Sequence, residues 1–343
     1  MVERRPRRVT ETYQRVREIF IARVRKKASA ESGGAEVLHP LVGEHGTFVH
    51  AKNEPIQDAG AELPSRGLFI VADGVSSDEG GDVAAALACE TIVSHWDTLP
   101  NEELSLENTI ELMKSSIMDA RDAIAEAAQQ DPSKATMATT IVVAKLWQGS
   151  LGRKKVIFGS VGDSRGAILR RDGKLEQVTI DDDLASNFIA DKKRLGALQA
   201  KMSNVTSYDQ LSDQPMIQLA KPTQLNVYRN GIVQNDAVTE LTEQDLFASR
   251  NYIRISLSAA RLPEVNIEMR NISSGNTVVL STDGETDNNR HNERQRILST
   301  PASAQQKAQS LGEAAVLKSQ EEKSPDNIRP KFDDTLVKVI TVA

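Results

Sequence analysis

The sequence predicts an α+β fold, and three observations carry that prediction. Residues 67–72 (GLFIVA) form a short apolar run that reads as a buried strand. Two amphipathic patterns follow, over 82–96 and from Ile110 to about Gln130, with apolar residues at helical spacing. Strand patterns then come in a block, at 139–146, 155–160 and 166–170, rather than alternating with helices. Blocks of this kind suit antiparallel sheets with segregated helices better than a βαβ chain.

The elements are justified in order. Residues 1–27 hold ten Lys or Arg against three Glu, and Val9, Tyr13, Val16, Phe20 and Val24 recur at spacings of three and four. That is a basic helix with one apolar face, suited to packing on the main domain or to docking a partner protein or acidic surface. Residues 28–34 (ASAESGG) read as a linker, so the chain divides into a basic helix and linker at 1–34 and one domain at 35–343. Gly80-Gly81 opens the first long helix, with Asp82 at its N-terminal end. After the third strand of the block, Arg171-Asp172-Gly173-Lys174 reads as a hairpin turn. Residues 181–248 are polar and weakly periodic, which suggests an extended surface insertion or flap within the domain. Strands are expected again at 252–257 and 276–281, a helix at 302–318, and a closing strand at 335–342.

Composition narrows the function. Aromatics make up 4% of the chain and its formal charge is −6, which disfavours a nucleic-acid reader built on stacking and basic grooves. No apolar run reaches the roughly 20 residues that span a bilayer, and arginines hem in the Ile19–Ile21 triplet, unlike a signal peptide. A single cysteine, Cys89 in a helix-like setting, leaves no internal disulfide and suits a reducing compartment, so the expected location is the cytoplasm. The five histidines show no metal-binding spacing.

Aspartates carry the chemistry. Asp73-Gly74 ends the strand GLFIVA, Asp283-Gly284 ends TVVLST, Asp333-Asp334 opens TLVKVITV, and Asp58 lies ahead of the first of these strands. Carboxylates are hard oxygen ligands that suit Mg²⁺ or Mn²⁺, and a following glycine lets the backbone and its carbonyl approach an ion. A lone Asp-Gly is usually just a turn. Several acidic groups crowded together are held most naturally by two divalent cations, and such a pair can activate a bridging water and clamp a phosphoryl group.

Five longer strings occur in this order: FIVADGVSSDEGGDVAA, ATMATTIVVA, FGSVGDSRGAILRRDGKLEQVT, NTVVLSTDGETDN and KFDDTLVKVITV. Together they resemble the protein phosphatase 2C (PPM) family of metal-dependent serine/threonine phosphatases, bacterial type. The resemblance runs from about Leu38 to the C-terminus and is faint across 181–248. It implies a four-layer α-β-β-α sandwich of two antiparallel sheets flanked by helices, with the metals at one edge of the sheets. It implies that Asp58, Asp73 with the Gly74 carbonyl, Asp283 and Asp333 bind two Mn²⁺ or Mg²⁺ ions, and that Asp163 of GDSR serves a third, weaker one. It also implies hydrolysis of phosphoserine or phosphothreonine by a metal-bridging water, on a cognate kinase or that kinase's targets. Thr139-Thr140 and Ser164-Arg165 match family positions whose role is packing and strand geometry.

The chain departs from the family pattern in places. Asn53-Glu54 precedes Asp58 by several residues, leaving Glu54 as a rival ligand. The arginine that usually holds the substrate phosphate has no clear counterpart, and His50, Lys52 and Arg66 are the candidates. Val75-Ser76-Ser77-Asp78 stands where some members carry a general-acid histidine. Asp326-Asn327 rivals Asp333-Asp334 at the last site, but no strand follows it. Asp181-Asp182-Asp183 is expected to be a solvated acidic turn or a brake on acidic phosphopeptides. These departures leave a pseudophosphatase, a partner-binding module of the same fold, as the alternative reading.

Overall fold

The computed structural model describes residues 39–52, 55–75, 80–99, 103–183, 216–229, 232–242, 253–322 and 330–343. The basic helix, the linker, Asn53-Glu54, Ser76–Asp78, the part of the flap at 184–215 and Asp326-Asn327 lie outside these residues.

Strand β1 (Val42–His50) is followed by the hairpin of β2 (Asp58–Leu63) and β3 (Leu68–Val75). Alternation along β3 decides the layering. Leu68, Ile70 and Ala72 pack with the helices α1 (Gly81–Asp97) and α2 (Leu106–Gln130), while Phe69 and Val71 turn to the opposite face. Helix α2 starts where Ser105 Oγ accepts from the Asn108 N–H at 3.1 Å, an N-cap that satisfies one of the first turn's donors. The expected strand 139–146 splits into β4 (Ala138–Thr139) and β5 (Ile141–Gln148), because the Thr140 N–H donates to the Asp73 carbonyl at 2.8 Å. Strands β6 (Lys154–Val161), β7 (Arg165–Leu169) and β8 (Leu175–Gln177) follow, and the β7–β8 turn contains Gly173 at φ 83° as an Asp-Gly turn requires.

Within the stretch expected to lack regular structure, β9 (Met216–Arg229) and β10 (Ile232–Thr242) pair as a long antiparallel hairpin. The strand expected at 252–257 is shorter: a bridge at Ile253 and β11 (Leu257–Ser258). Then come β12 (Asn266–Asn271), β13 (Thr277–Ser281), the one-turn helix α3 (Asp283–Thr286), α4 (His291–Ser299), α5 (Ala304–Ser319) and β14 (Thr335–Val342).

Apart from the separate β9–β10 pair, these strands make two antiparallel sheets. One has the order β1-β14-β13-β7-β8, and the other β11-β4-β3-β5-β6-β12 with β2 on β3. Phe69, Val71, Val142 and Phe158 of the second sheet meet Ile168, Val278, Leu280, Leu336 and Ile340 of the first in a buried layer between them. On the outer faces, α1 and α2 cover the second sheet, and Leu298, Ala304, Ala308 and Leu311 of α4 and α5 cover the first. The result is the four-layer α-β-β-α sandwich.

Candidate metal centre

The β2–β3 hairpin builds the first half of the site. Asp58, the first residue of β2, stands directly opposite Asp73 of β3. Like charges so placed destabilise a sheet unless a cation compensates them. The Asp73 backbone is clamped: its carbonyl accepts from the Thr139 Oγ1 and the Thr140 N–H, each at 2.8 Å, and its N–H donates to Thr140 Oγ1 at 3.3 Å. Gly74 has no room for a side chain, since a Cβ there would lie 2.3 Å from the Gly81 carbonyl oxygen. Its glycine thus serves backbone packing at the start of α1 as well as any approach to an ion.

The second half comes from the other sheet. The chain leaves β13 and turns at once into α3, putting Asp283 in its first turn. Between them, Thr282 joins the two sheets: its Oγ1 donates to Asp58 Oδ2 at 2.7 Å and accepts from the Leu336 N–H at 3.0 Å. Asp333 lies just ahead of β14. Its neighbour Asp334 is buried, accepting from the Lys52 N–H at 2.5 Å and the Gln57 N–H at 2.7 Å. Asp334 therefore orders the β1–β2 loop, and Asp333 is left for the cluster.

Electrostatics ties the four carboxylates together. Loss of hydration raises Asp58 well above the ordinary carboxylate range, and Asp334, Asp283 and Asp333 add to it against the Thr282 hydrogen bond. Burial, then Asp283, Asp58 and Asp333, do the same to Asp73. Asp333 is raised by burial and by Asp283. A fifth group stands among them: the Lys331 ammonium bonds Asp283, and lies 3.2 Å from Asp333 and 3.5 Å from Asp287. Burial opposes its charge, but Asp283 and Asp333 outweigh that and hold Lys331 above the usual lysine value. With the ammonium between them, no three Asp, Glu, His or Cys side chains among the described residues enclose an ion. The donor set still fits Mg²⁺ or Mn²⁺. Every donor is a hard oxygen, the cluster is strongly acidic, and it already draws a cation into its midst.

A profile described as Protein phosphatase 2C matches residues 45–213, a span that includes Asp58, Asp73 and Asp163. The serine/threonine phosphatase stp of Listeria welshimeri is 27% identical over 153 residues, covering 45% of this chain and 53% of that protein. Over residues 45–213 the chain is similar to the protein phosphatase 2C family. Its match to stp of Listeria monocytogenes is 28% identical and likewise covers 53% of that protein, so the chain spans about half the length of the curated relatives it matches. Among solved structures, Stp1 of Staphylococcus aureus superposes with a TM-score of 0.63 at 17% identity, over 91% of this chain and 99% of that one. The catalytic domain of PstP in complex with two manganese ions superposes with a TM-score of 0.58 at 20% identity, over 88% and 99%. These likenesses are of fold.

Against the protein phosphatase 2C pattern, the structure brings Asp58, Asp73, Gly74, Asp283 and Asp333 into one place. Asp163 is buried in the β6–β7 turn, and its flanking residues tie that turn to Asp73: Ser164 Oγ lies 2.7 Å from Thr140 Oγ1, and Gly162 (φ 96°) packs on the Thr140 side chain. Exposed Lys52 sits at the rim, its ammonium 5.8 Å from the Phe332 ring centroid and close enough to lower Asp333. His50 ends β1 opposite Thr335, two residues from Asp333. Arg66 does not join them. It follows the far end of the hairpin, on the order of 17 Å along the strands, and bonds the Leu99 carbonyl.

Asp181–Asp183 is no solvated turn. Asp181 is buried against Arg165 at 2.6 Å, Asp182 accepts from the Gly162 N–H at 3.1 Å, and Asp183 is fully buried. Sequence reasoning missed Lys331 and Asp287, and named Asp334 only as the neighbour of Asp333. Asp287 was recoverable, because it lies one helical turn after Asp283.

Proposed function

We propose that this chain is a Mn²⁺- or Mg²⁺-dependent protein serine/threonine phosphatase. One observation supports this most: Asp58, Asp73, Asp283 and Asp333, drawn from both sheets, are near enough at the sandwich edge to raise one another's carboxyls, and Asp283 and Asp333 also hold the Lys331 ammonium. Asp73, Asp283 and Asp333, with Asp58 and the Gly74 carbonyl, are the groups that would hold two divalent ions, and Asp163 would serve a third. Bound there, the ions would activate a bridging water for in-line attack on phosphorus and neutralise the phosphoryl oxygens. The protein's own work is positional. Thr139 and Thr140 fix the Asp73 backbone, and Thr282 orients Asp58. Lys52 and His50 stand at the rim, where a phosphoryl dianion would enter.

The substrates in this reading are phosphorylated proteins, such as a cognate serine/threonine kinase or its targets, and the basic stretch 1–27 would serve for docking. Among the described residues no helix is long and apolar enough to cross a membrane. The lone, buried Cys89 suits the reducing cytoplasm.

Asp73→Asn and Asp283→Asn should each abolish Mn²⁺-dependent hydrolysis of p-nitrophenyl phosphate while circular dichroism shows a folded protein. Near-wild-type turnover in either variant would sink the assignment. Tight Mn²⁺ binding by the wild type with no turnover on phosphopeptides would favour a pseudophosphatase.

A further inference from the structure

We propose that Lys331 is an internal counter-cation that occupies the acidic cluster in the metal-free protein and must swing out before a divalent ion can bind. The inference rests on the two-metal reading above and concerns what sets metal affinity. The Lys331 ammonium reaches three carboxylates from two chain segments: Asp283 and Asp287, on and just beyond α3, and Asp333 ahead of β14. Two of these, Asp283 and Asp333, are the groups assigned to the ions. An ammonium and a divalent ion on the same carboxylates repel each other in a poorly hydrated site, so the ammonium opposes an ion's entry for as long as it stays there.

The backbone of Lys331 is not what moves. Its N–H donates to Asn288 Oδ1 at 3.0 Å, and its carbonyl accepts from Asn288 Nδ2 at 2.9 Å. Asn288 Nδ2 also bonds the Gly284 carbonyl at 2.8 Å, so the peptide of Lys331 is pinned to the turn that carries Asp283. What remains free is a four-carbon stem with rotatable bonds, three-quarters buried and beside an exposed residue, Phe332. The lysine thus sits on a fixed hinge with its charge on a movable arm. Its ion pairs keep the carboxylates compensated without metal, and they are interactions that an incoming ion has to break. Lys331 accordingly lowers the affinity for divalent ions while supporting the metal-free fold.

The test is Mn²⁺ titration by calorimetry on the full chain, comparing wild type with Lys331→Met, Lys331→Gln and Lys331→Arg. Thermal unfolding of each is followed in EDTA and in Mn²⁺. The neutral variants should bind Mn²⁺ about tenfold more tightly or better, in the range of coupling found between competing occupants. Their melting temperature should fall in EDTA and recover with Mn²⁺, and the arginine variant should resemble wild type in both. Lys331→Gln carries the comparison if the methionine variant does not fold. Unchanged or weaker Mn²⁺ affinity in the folded neutral variants would overturn the role of Lys331. No binding by wild type or any variant would overturn the two-metal reading and this inference with it.

Discussion

At the scale of single residues, the site depends on atoms that leave no space rather than on charge alone. A Cβ on Gly284 would fall 1.9 Å from the Asp334 carbonyl oxygen, although the adjacent Asp283 is the residue with the chemistry. Gly284→Ala should therefore cost roughly 2–3 kcal/mol in urea unfolding, as overpacking does, and weaken Mn²⁺ binding by displacing Asp333-Asp334. The aspartates themselves were legible in the sequence because apolar strands run into Asp-Gly steps, and that pattern survives without knowledge of what packs nearby. Lys331 was not legible. It lies in a polar stretch with no periodicity, and only the return of the chain beside α3 brings it to Asp283. Arg66 failed for the opposite reason: it is near Asp58 and Asp73 in sequence, but a hairpin turns that nearness into a full strand length of separation.

At the scale of elements, the long helices and apolar strands were readable because their periodicity is strong, whereas β1, β2 and β12 carry few apolar residues and owe their form to pairing. The β9–β10 hairpin is of this kind, since cross-strand register over two long strands leaves little local signature. Away from the metal centre, a partly buried ion cluster locks the segment before α2 to β5. Glu103 accepts from His39 Nε2 at 2.7 Å and pairs with Lys145 at 2.8 Å. Burial works against the Glu103 charge, but His39 and Lys145 outweigh it and pull its carboxyl below the ordinary value. Burial of Lys145 is deeper, and it draws that ammonium down despite Glu103. Glu103→Gln, which leaves the lysine with only the Leu146 carbonyl as partner, should cost about 1–2 kcal/mol at neutral pH. Because the folded value of Glu103 is depressed, its contribution is complete above about pH 4.3 and fades as pH falls through the folded value. The gap between wild type and Glu103→Gln in denaturant melts should thus be widest near pH 7 and narrow in acid. A Glu103→Gln/Lys145→Met double variant should recover most of the loss.

At the scale of the whole molecule, the carboxylates are shared between two sheets, so an ion bound there acts on the sandwich as a body. Free Mn²⁺ at a hundredfold excess over its dissociation constant should add about 2.7 kcal/mol to unfolding, read as a higher melting temperature than in EDTA, and Asp73→Asn should remove the increment. The sandwich architecture was legible from the order of the motifs, while its strand order was not, because partners such as β1 and β14 lie at opposite ends of the chain. That pairing has a consequence for how the protein is made. Of the described elements, β14 leaves the ribosome last, and it inserts between the edge strand β1 and β13. The sheet around β3, β5 and β6 is largely complete in the nascent chain, but the other sheet must wait with a gap between β1 and β13. Asp333 arrives with the strand that closes this gap, so the cluster gains its fourth carboxylate only when this sheet is completed.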